Sequence, residues 1–257
     1  MSMYDVHCHL DYSSLVNRLG NICNSSVKGV LSSGIELSSW EKNIALAKKY
    51  PFNVSLGLHP FFVKDKYPEV DMLRGYLEQE HVVAVGEIGL DYYNEYAESK
   101  DLQQEIFAEQ LLLANQLGLP VIIHCRKAYD DLYRILKQFD LPALVFHCFG
   151  GSEQDMQKLL EFNSFFTFGF PITNENNKKH KRLIKLVPQA RLLLETDSPF
   201  LKPRGKWEST EEYSDPRDIK VVYESAAKIL DIEMSDLKDQ VERNVKTIWK
   251  DFRELSS

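Results

Sequence analysis

Asp5-Val6-His7-Cys8-His9-Leu10-Asp11 stands near the start of the chain, directly after Tyr4. Tyr4–His9 reads as a short, largely apolar strand. Because strand side chains alternate between faces, His7 and His9 point the same way. Two imidazoles side by side at a strand end suggest a metal, although a lone strand histidine is also a common hydrogen-bonded core residue. Seven further apolar, β-branched runs bounded by turn signals follow: Gly29–Ser33, Asn53–Leu58, Val82–Glu87, Val121–His124, Ala143–His147, Phe165–Phe168 and Leu192–Glu195.

Helical patterns separate most of these strands. Ser38-Ser39-Trp40-Glu41 reads as a capping box that opens a helix through Lys49. Others are predicted over Asp71–Glu80, Asp101–Leu117, Ala128–Phe139, Ser152–Phe162, Lys178–Leu186 and Ile219–Leu230, before a helical tail near Ser235–Phe252. Strands alternating with helices imply parallel pairing with helices outside. Eight strands make an α/β closed (β/α)8 TIM barrel the predicted architecture, with an open doubly wound sheet as the alternative. No Gly/Ser linker or fixed-period repeat divides the 257 residues, so one domain over 1–257 is expected.

Composition narrows the class. Hydrophobic residues are 44% and charged residues 27%, ordinary for a globular protein with a sizeable core. No apolar run approaches the roughly 18 residues needed to span a bilayer, and no secretory signal is visible, so a cytoplasmic protein without a membrane partner is expected, and a monomer because no separate apolar patch is legible. Cysteines at 8, 23, 125 and 148 show no CxxC spacing. Three of them adjoin a histidine, and strand alternation turns their thiols away from any site that the histidines face. The net charge of -7 offers no broad basic footprint for nucleic acid. A local one exists at Lys178-Lys179-His180-Lys181-Arg182, with Lys185 and Arg191 beyond, although such a run is also a common solvated helix face.

Chemically capable residues gather at the C-terminal ends of the strands. His7 and His9 end the first, Glu87 the fourth, His124 the fifth and His147 the sixth, while Asp197 follows the eighth and His59 lies just past the third. In a barrel these ends surround one mouth, where active sites lie. Four imidazoles and two carboxylates form a ligand set for two divalent ions, with Glu87 reaching both. A thiolate-free set of this kind suits Zn²⁺, Mn²⁺, Fe²⁺ or Mg²⁺. Two such cations activate a water and polarise the oxygen of its target, so hydrolysis is the expected chemistry.

Six ordered motifs carry a family resemblance. They are the opening stretch, Gly57-Leu58-His59-Pro60, Gly86-Glu87-Ile88-Gly89-Leu90-Asp91-Tyr92, Pro120-Val121-Ile122-Ile123-His124-Cys125-Arg126, His147-Cys148-Phe149-Gly150-Gly151 and Leu192-Leu193-Leu194-Glu195-Thr196-Asp197-Ser198-Pro199. Together they resemble the TatD-type deoxyribonucleases, metal-dependent hydrolases of the amidohydrolase-like barrel group. Asn244 resembles that family's late asparagine. The resemblance implies a 3′–5′ exonuclease acting on DNA ends, with RNA as an alternative substrate. It places His7, His9 and Asp197 on one ion, His124 and His147 on the other, and Glu87 between them. Asp197 would also orient or deprotonate the attacking water, while His59 and Arg126 would hold phosphate.

Two stretches depart from the family pattern. Tyr213-Ser214-Asp215-Pro216 stands where an asparagine-glutamate-proline segment is usual, which puts that loop's substrate contacts in doubt. Phe61-Phe62 follows His59-Pro60 where a polar residue is often found, and one of the two rings is expected to pack. Two rival readings stay open. One is an amidohydrolase acting on a small amide, lactone or ester, including misacylated tRNA; the other is a non-catalytic binding barrel.

Overall fold

Parallel strands covered on both faces are near-continuous apolar runs, and each of the eight expected runs forms a strand. The computed structural model describes residues 3–63, 69–205 and 212–255. The strands are β1 (Met3–Cys8), β2 (Val27–Gly34), β3 (Asn53–Leu56), β4 (Val82–Asp91), β5 (Val121–Arg126), β6 (Leu144–Phe146), β7 (Ser164–Phe168) and β8 (Leu192–Leu194). They pair in parallel and in chain order from β1 to β8. Beyond the end of β8, the Asp197 amide donates to the His7 carbonyl at 2.9 Å and the His9 amide to the Ser198 carbonyl at 2.7 Å. The first strand and the chain beyond the last thus meet through the residues that carry the candidate chemistry.

The helices are α1 (Ser13–Val16), α2 (Leu19–Cys23), α3 (Leu37–Ala47), α4 (Glu69–Leu77), α5 (Lys100–Leu117), α6 (Tyr129–Leu136), α7 (Glu153–Leu159), α8 (Lys178–Leu186), α9 (Ile219–Leu230) and α10 (Met234–Ile248). One apolar core joins strands to helices, with Trp40, Phe52, Phe107 and Tyr223 among its fully buried large side chains. Asn244 on α10 donates to the carbonyls of Gln189 and Leu192, both at 2.7 Å, and so anchors the entry to β8. No helix among the described residues is long and apolar enough to cross a membrane.

Several local expectations change. The capping box at Ser38 is absent: Glu36 is the N-cap of α3, and the Ser39 hydroxyl donates to Asp11 at 2.8 Å. The Ser38 hydroxyl that the box would use donates instead to the Glu36 carboxylate at 2.9 Å, two residues earlier in the chain. Strand β4 runs past Glu87 to Asp91. Gly86 and Gly89, both at φ 151°, permit the extension, because a Cβ at Gly89 would lie 1.8 Å from the His124 carbonyl oxygen. Bare backbone there lets β4 lie tightly on β5, with Gly89 opposite His124 in the ladder. Cys8 lies buried in β1 and Cys125 packs against the core, but Cys148 lies past β6 at φ 41°, where strand alternation does not operate.

The connection from Lys202 to Pro216 is described except for residues 206–211. Its closing part, Tyr213-Ser214-Asp215-Pro216, is structural. Asp215 caps the turn into α9 and pairs with Arg217 at 2.6 Å and Arg18 at 3.4 Å, while Ser214 meets Ser198 at 3.1 Å.

Candidate metal centre

Glu87 sits at the middle of the barrel mouth, buried, with imidazoles on both of its oxygens. Its Oε2 faces His7 Nε2 at 3.2 Å and His9 Nε2 at 3.8 Å. Its Oε1 faces His124 Nδ1 and His147 Nε2, both at 2.9 Å, and His59 Nε2 at 3.1 Å. Asp197, from beyond β8, approaches from the His9 side, with Oδ1 3.4 Å from His9 Nε2 and 3.7 Å from His7 Nε2. The six expected ligands therefore converge, and His59 joins them. Arg126 does not: it is exposed at the end of β5, its guanidinium 3.5 Å from the Tyr93 ring centroid.

Hydrogen bonds at the outer ring nitrogens decide which imidazoles present a lone pair. The Ser33 carbonyl can only accept, so His9 Nδ1 donates to it at 2.9 Å and, in the neutral ring, His9 Nε2 keeps a lone pair facing the carboxylates. His124 Nε2 meets Asp91 Oδ2 at 2.9 Å, which turns the Nδ1 lone pair inward. His59 is the reverse case. Its Nδ1 accepts from the Phe61 amide at 3.1 Å, so in the neutral ring Nε2 carries the proton and donates to Glu87. Atom spacing alone would group His59 with Glu87 and His124 as three ligands for one ion. The tautomer makes His59 a donor instead.

The chemistry of the donor set fits a cation. His7 Nε2 is buried without a hydrogen-bond partner, although two carboxylates surround it. His124 Nδ1 and His147 Nε2 lie 3.2 Å apart and both converge on one carboxylate oxygen, an arrangement that needs a proton or a metal between lone pairs. Groups at His7, His9 and Glu87 and at His7, His147 and Asp197 also have the spacing of metal ligands.

The titrations carry the same demand for positive charge. Burial would raise the Glu87 carboxyl, yet His147, His59 and His7 together with the His124 hydrogen bond hold it well below the usual carboxylate range. Burial opposes Asp197 as well, and the His9 hydrogen bond with the nearby imidazoles keeps it lowered. Against the same burial, Glu87 and Glu195 raise His147 well above its usual value, Asp197 raises His9, and Asp91 with Glu87 raises His124. Burial lowers the His59 pKa to about 4, against the opposing charge of Glu87, so that ring is neutral at physiological pH.

Three residues that the sequence reading did not assign orient this centre. Ser33 holds His9 through its carbonyl and meets His7 Nδ1 through its hydroxyl at 3.1 Å. Glu195 lies 3.6 Å from His147 Nδ1 and is itself fixed by Thr167 at 2.5 Å and the Cys148 amide at 2.6 Å. Asp91 holds His124. Glu87, Gly89 and Asp91 alternate along β4, and that period of two was the available signal. Asp91→Asn is expected to weaken divalent-metal affinity about 10- to 100-fold, because an amide donor toward Nε2 turns an N–H into the centre. A metal titration giving wild-type affinity would remove this role from Asp91.

Aromatic rings flank the mouth on two sides. Phe61 stacks on Tyr96 at 4.1 Å and meets His59 edge-on at 4.4 Å, and Phe62 packs against the core, so both rings have partners within the protein. On the other side Phe200 contacts His9 at 4.9 Å and Tyr12 at 4.8 Å.

Eight parallel strands around a histidine-carboxylate mouth define a metal-dependent hydrolase barrel. A family model described as TatD related DNase matches residues 4–250, and the chain belongs to the TatD family. YabD of Bacillus subtilis, named as an uncharacterized metal-dependent hydrolase, is 31% identical over 259 residues, 96% of this chain and 99% of its own. The 3′-5′ ssDNA/RNA exonuclease TatD of Klebsiella pneumoniae is 31% identical over 231 residues, 88% of each chain. The crystal structure of YjjV, a TatD homologue from Escherichia coli K12, aligns at a TM-score of 0.88 with 29% identity, over 96% of this chain and 98% of that one.

Proposed function

We propose that this chain is a two-cation exonuclease that removes nucleotides from the 3′ ends of DNA and, as a further substrate, RNA. The observation that carries this reading is Glu87, whose two oxygens divide the imidazoles into two sets across one carboxylate. His7, His9 and Asp197 would hold one cation, His124 and His147 the other, and Glu87 both. Divalent ions held there, Mg²⁺, Mn²⁺ or Zn²⁺, would supply a polarised phosphate oxygen and an acidified water. The activity for which the Klebsiella relative is named supports nucleic acid and 3′ polarity.

The chain's own groups supply the remaining chemistry. Asp197, ionised because its pKa is lowered, orients the attacking water and takes its proton. Neutral His59 donates its Nε2 proton to a phosphate oxygen, exchanging Glu87 for substrate. Arg126, held flat on Tyr93, presents its N–H edge to the phosphate.

Single-stranded oligonucleotides labelled at either end test this. Stepwise loss from the 3′ end is expected with Mg²⁺ or Mn²⁺, abolished by chelator and restored by added metal. Loss from the 5′ end would overturn the polarity. Intact oligonucleotides beside metal-dependent turnover of a small ester would give the site to a small-molecule amidohydrolase.

A further inference from the structure

The proposed nuclease centre accounts for one nucleotide, but two cavities outside it share a wall that leads away from the mouth. The first, about 470 Å³, starts at Phe200, which lies three residues past Asp197 and is 50% exposed although its ring touches His9. Lys202, Arg204, Asn174 and Asn177 complete its polar lining. The second, also about 470 Å³, lies between α8 and α9 and is lined by Lys178, Lys181, Arg182, Lys185 and Lys228. The connection leaving β7 is common to both: Asn174 and Asn177 line the first cavity, Thr173 and Lys178 the second. The Arg204 amide donates to Thr173 Oγ1 at 3.0 Å, tying the two walls together.

We propose that this pair of cavities is a track for the sugar-phosphate backbone of a single nucleic-acid strand, upstream of the end being cleaved. The proposal rests on the nuclease reading for its direction.

Lys178, Lys181 and Lys185 fall at i, i+3 and i+7, one face of α8, and Lys228 faces them from α9. A merely solvated face interleaves acids at i+4, whereas α8 contains none. Arg182 is neutralised by Glu153 of α7, and Lys181 reaches the Glu175 carbonyl at 3.3 Å. Among the described residues, Glu175 is the one acidic residue of the groove. In a chain of net charge -7, cations gathered along one cavity focus on an extended anion. Phe200 adds what a backbone track needs at its inner end: an exposed ring on which any base stacks.

Lys181→Ala/Lys185→Ala tests the track away from the reacting centre. Removing one lysine that pairs with a single-strand phosphate flattens the log-affinity against log-salt slope by about 0.7, so a reduction of about 1.4 is expected for a labelled strand of about 20 nucleotides. The KM for that strand should rise about tenfold at low salt, while kcat/KM for a dinucleotide stays at the wild-type value. Phe200→Ala should weaken strand binding about tenfold and Phe200→Trp restore it. Wild-type salt slope and KM in the lysine variant overturn the track, as does equal competition by polyaspartate of matched charge. Binding in chelator separates this proposal from the one beneath it. Lysine-dependent binding of a strand that the metal-loaded protein leaves uncut sinks the nuclease reading and keeps the track. Cleavage that is indifferent to strand length does the reverse.

Discussion

Glu87→Gln is expected to eliminate metal-dependent cleavage in a barrel that still folds. The substitution keeps the size and shape of a buried side chain and leaves one oxygen that can accept from His59. It removes the negative charge on which His147 and His124 depend for their raised pKa values. It also replaces an acceptor-only group by one whose amide N–H points at imidazole lone pairs or at a cation. With the shared carboxylate gone, neither set of imidazoles retains enough negative charge to hold an ion tightly. Metal activation of the water and polarisation of the phosphate are worth several kcal/mol, and each ~1.4 kcal/mol is tenfold in rate, so kcat should fall about 10³- to 10⁵-fold. Metal content should fall in parallel by elemental analysis of the purified protein. A Glu87→Gln protein that keeps two ions per chain and cleaves at the wild-type rate would end the bridging assignment.

The strands were legible because a buried parallel strand has little choice of residue, and runs such as Val121–Ile123 have no period other than their apolarity. The mouth was legible for a related reason. Polar groups at the ends of such runs stand out, as His124, His147 and Glu87 do. Short α1 and α2, of four and five residues, went unread because neither completes enough turns to display a helical period. The expected fourth strand stops at Glu87, although the missing side chains of Gly86 and Gly89 let β4 continue to Asp91 against β5. Period two puts Asp91 on the face of Glu87, but the orienting roles of Asp91, Glu195 and Ser33 follow from which ring nitrogen they meet, and sequence carries no tautomer. His59 shows the same point from inside the site. Its spacing belongs to a ligand, and only the Phe61 amide on its Nδ1 makes it a donor.

Asp197→Asn should separate metal binding from proton transfer. Asp197 has φ 57°, a left-handed conformation that asparagine adopts readily and alanine adopts at a cost of about 1 kcal/mol or more. The Asp197 amide bond to the His7 carbonyl, at 2.9 Å, and the Phe200 amide bond to the Asp197 carbonyl, at 3.0 Å, are backbone contacts that the substitution leaves alone. Closure of the barrel between β1 and the chain after β8 should survive, and the thermal midpoint should move little. The amide oxygen remains a neutral ligand, so the cation beside His7 and His9 should bind more weakly but saturate at higher metal concentration. Proton acceptance cannot be recovered that way. At saturating metal kcat should fall about 10²- to 10⁴-fold, the range for losing a general base. The pH profile supplies the second readout. Wild-type activity needs the Asp197 carboxylate ionised, and its pKa is held below the ordinary range, so at metal concentrations that keep proton competition from emptying the imidazoles Asp197 limits activity only on strong acidification. In the asparagine variant that contribution to the acidic limb should vanish. Wild-type kcat at saturating metal, with an unchanged acidic limb, would show that another group takes the proton and would leave Asp197 as a ligand only.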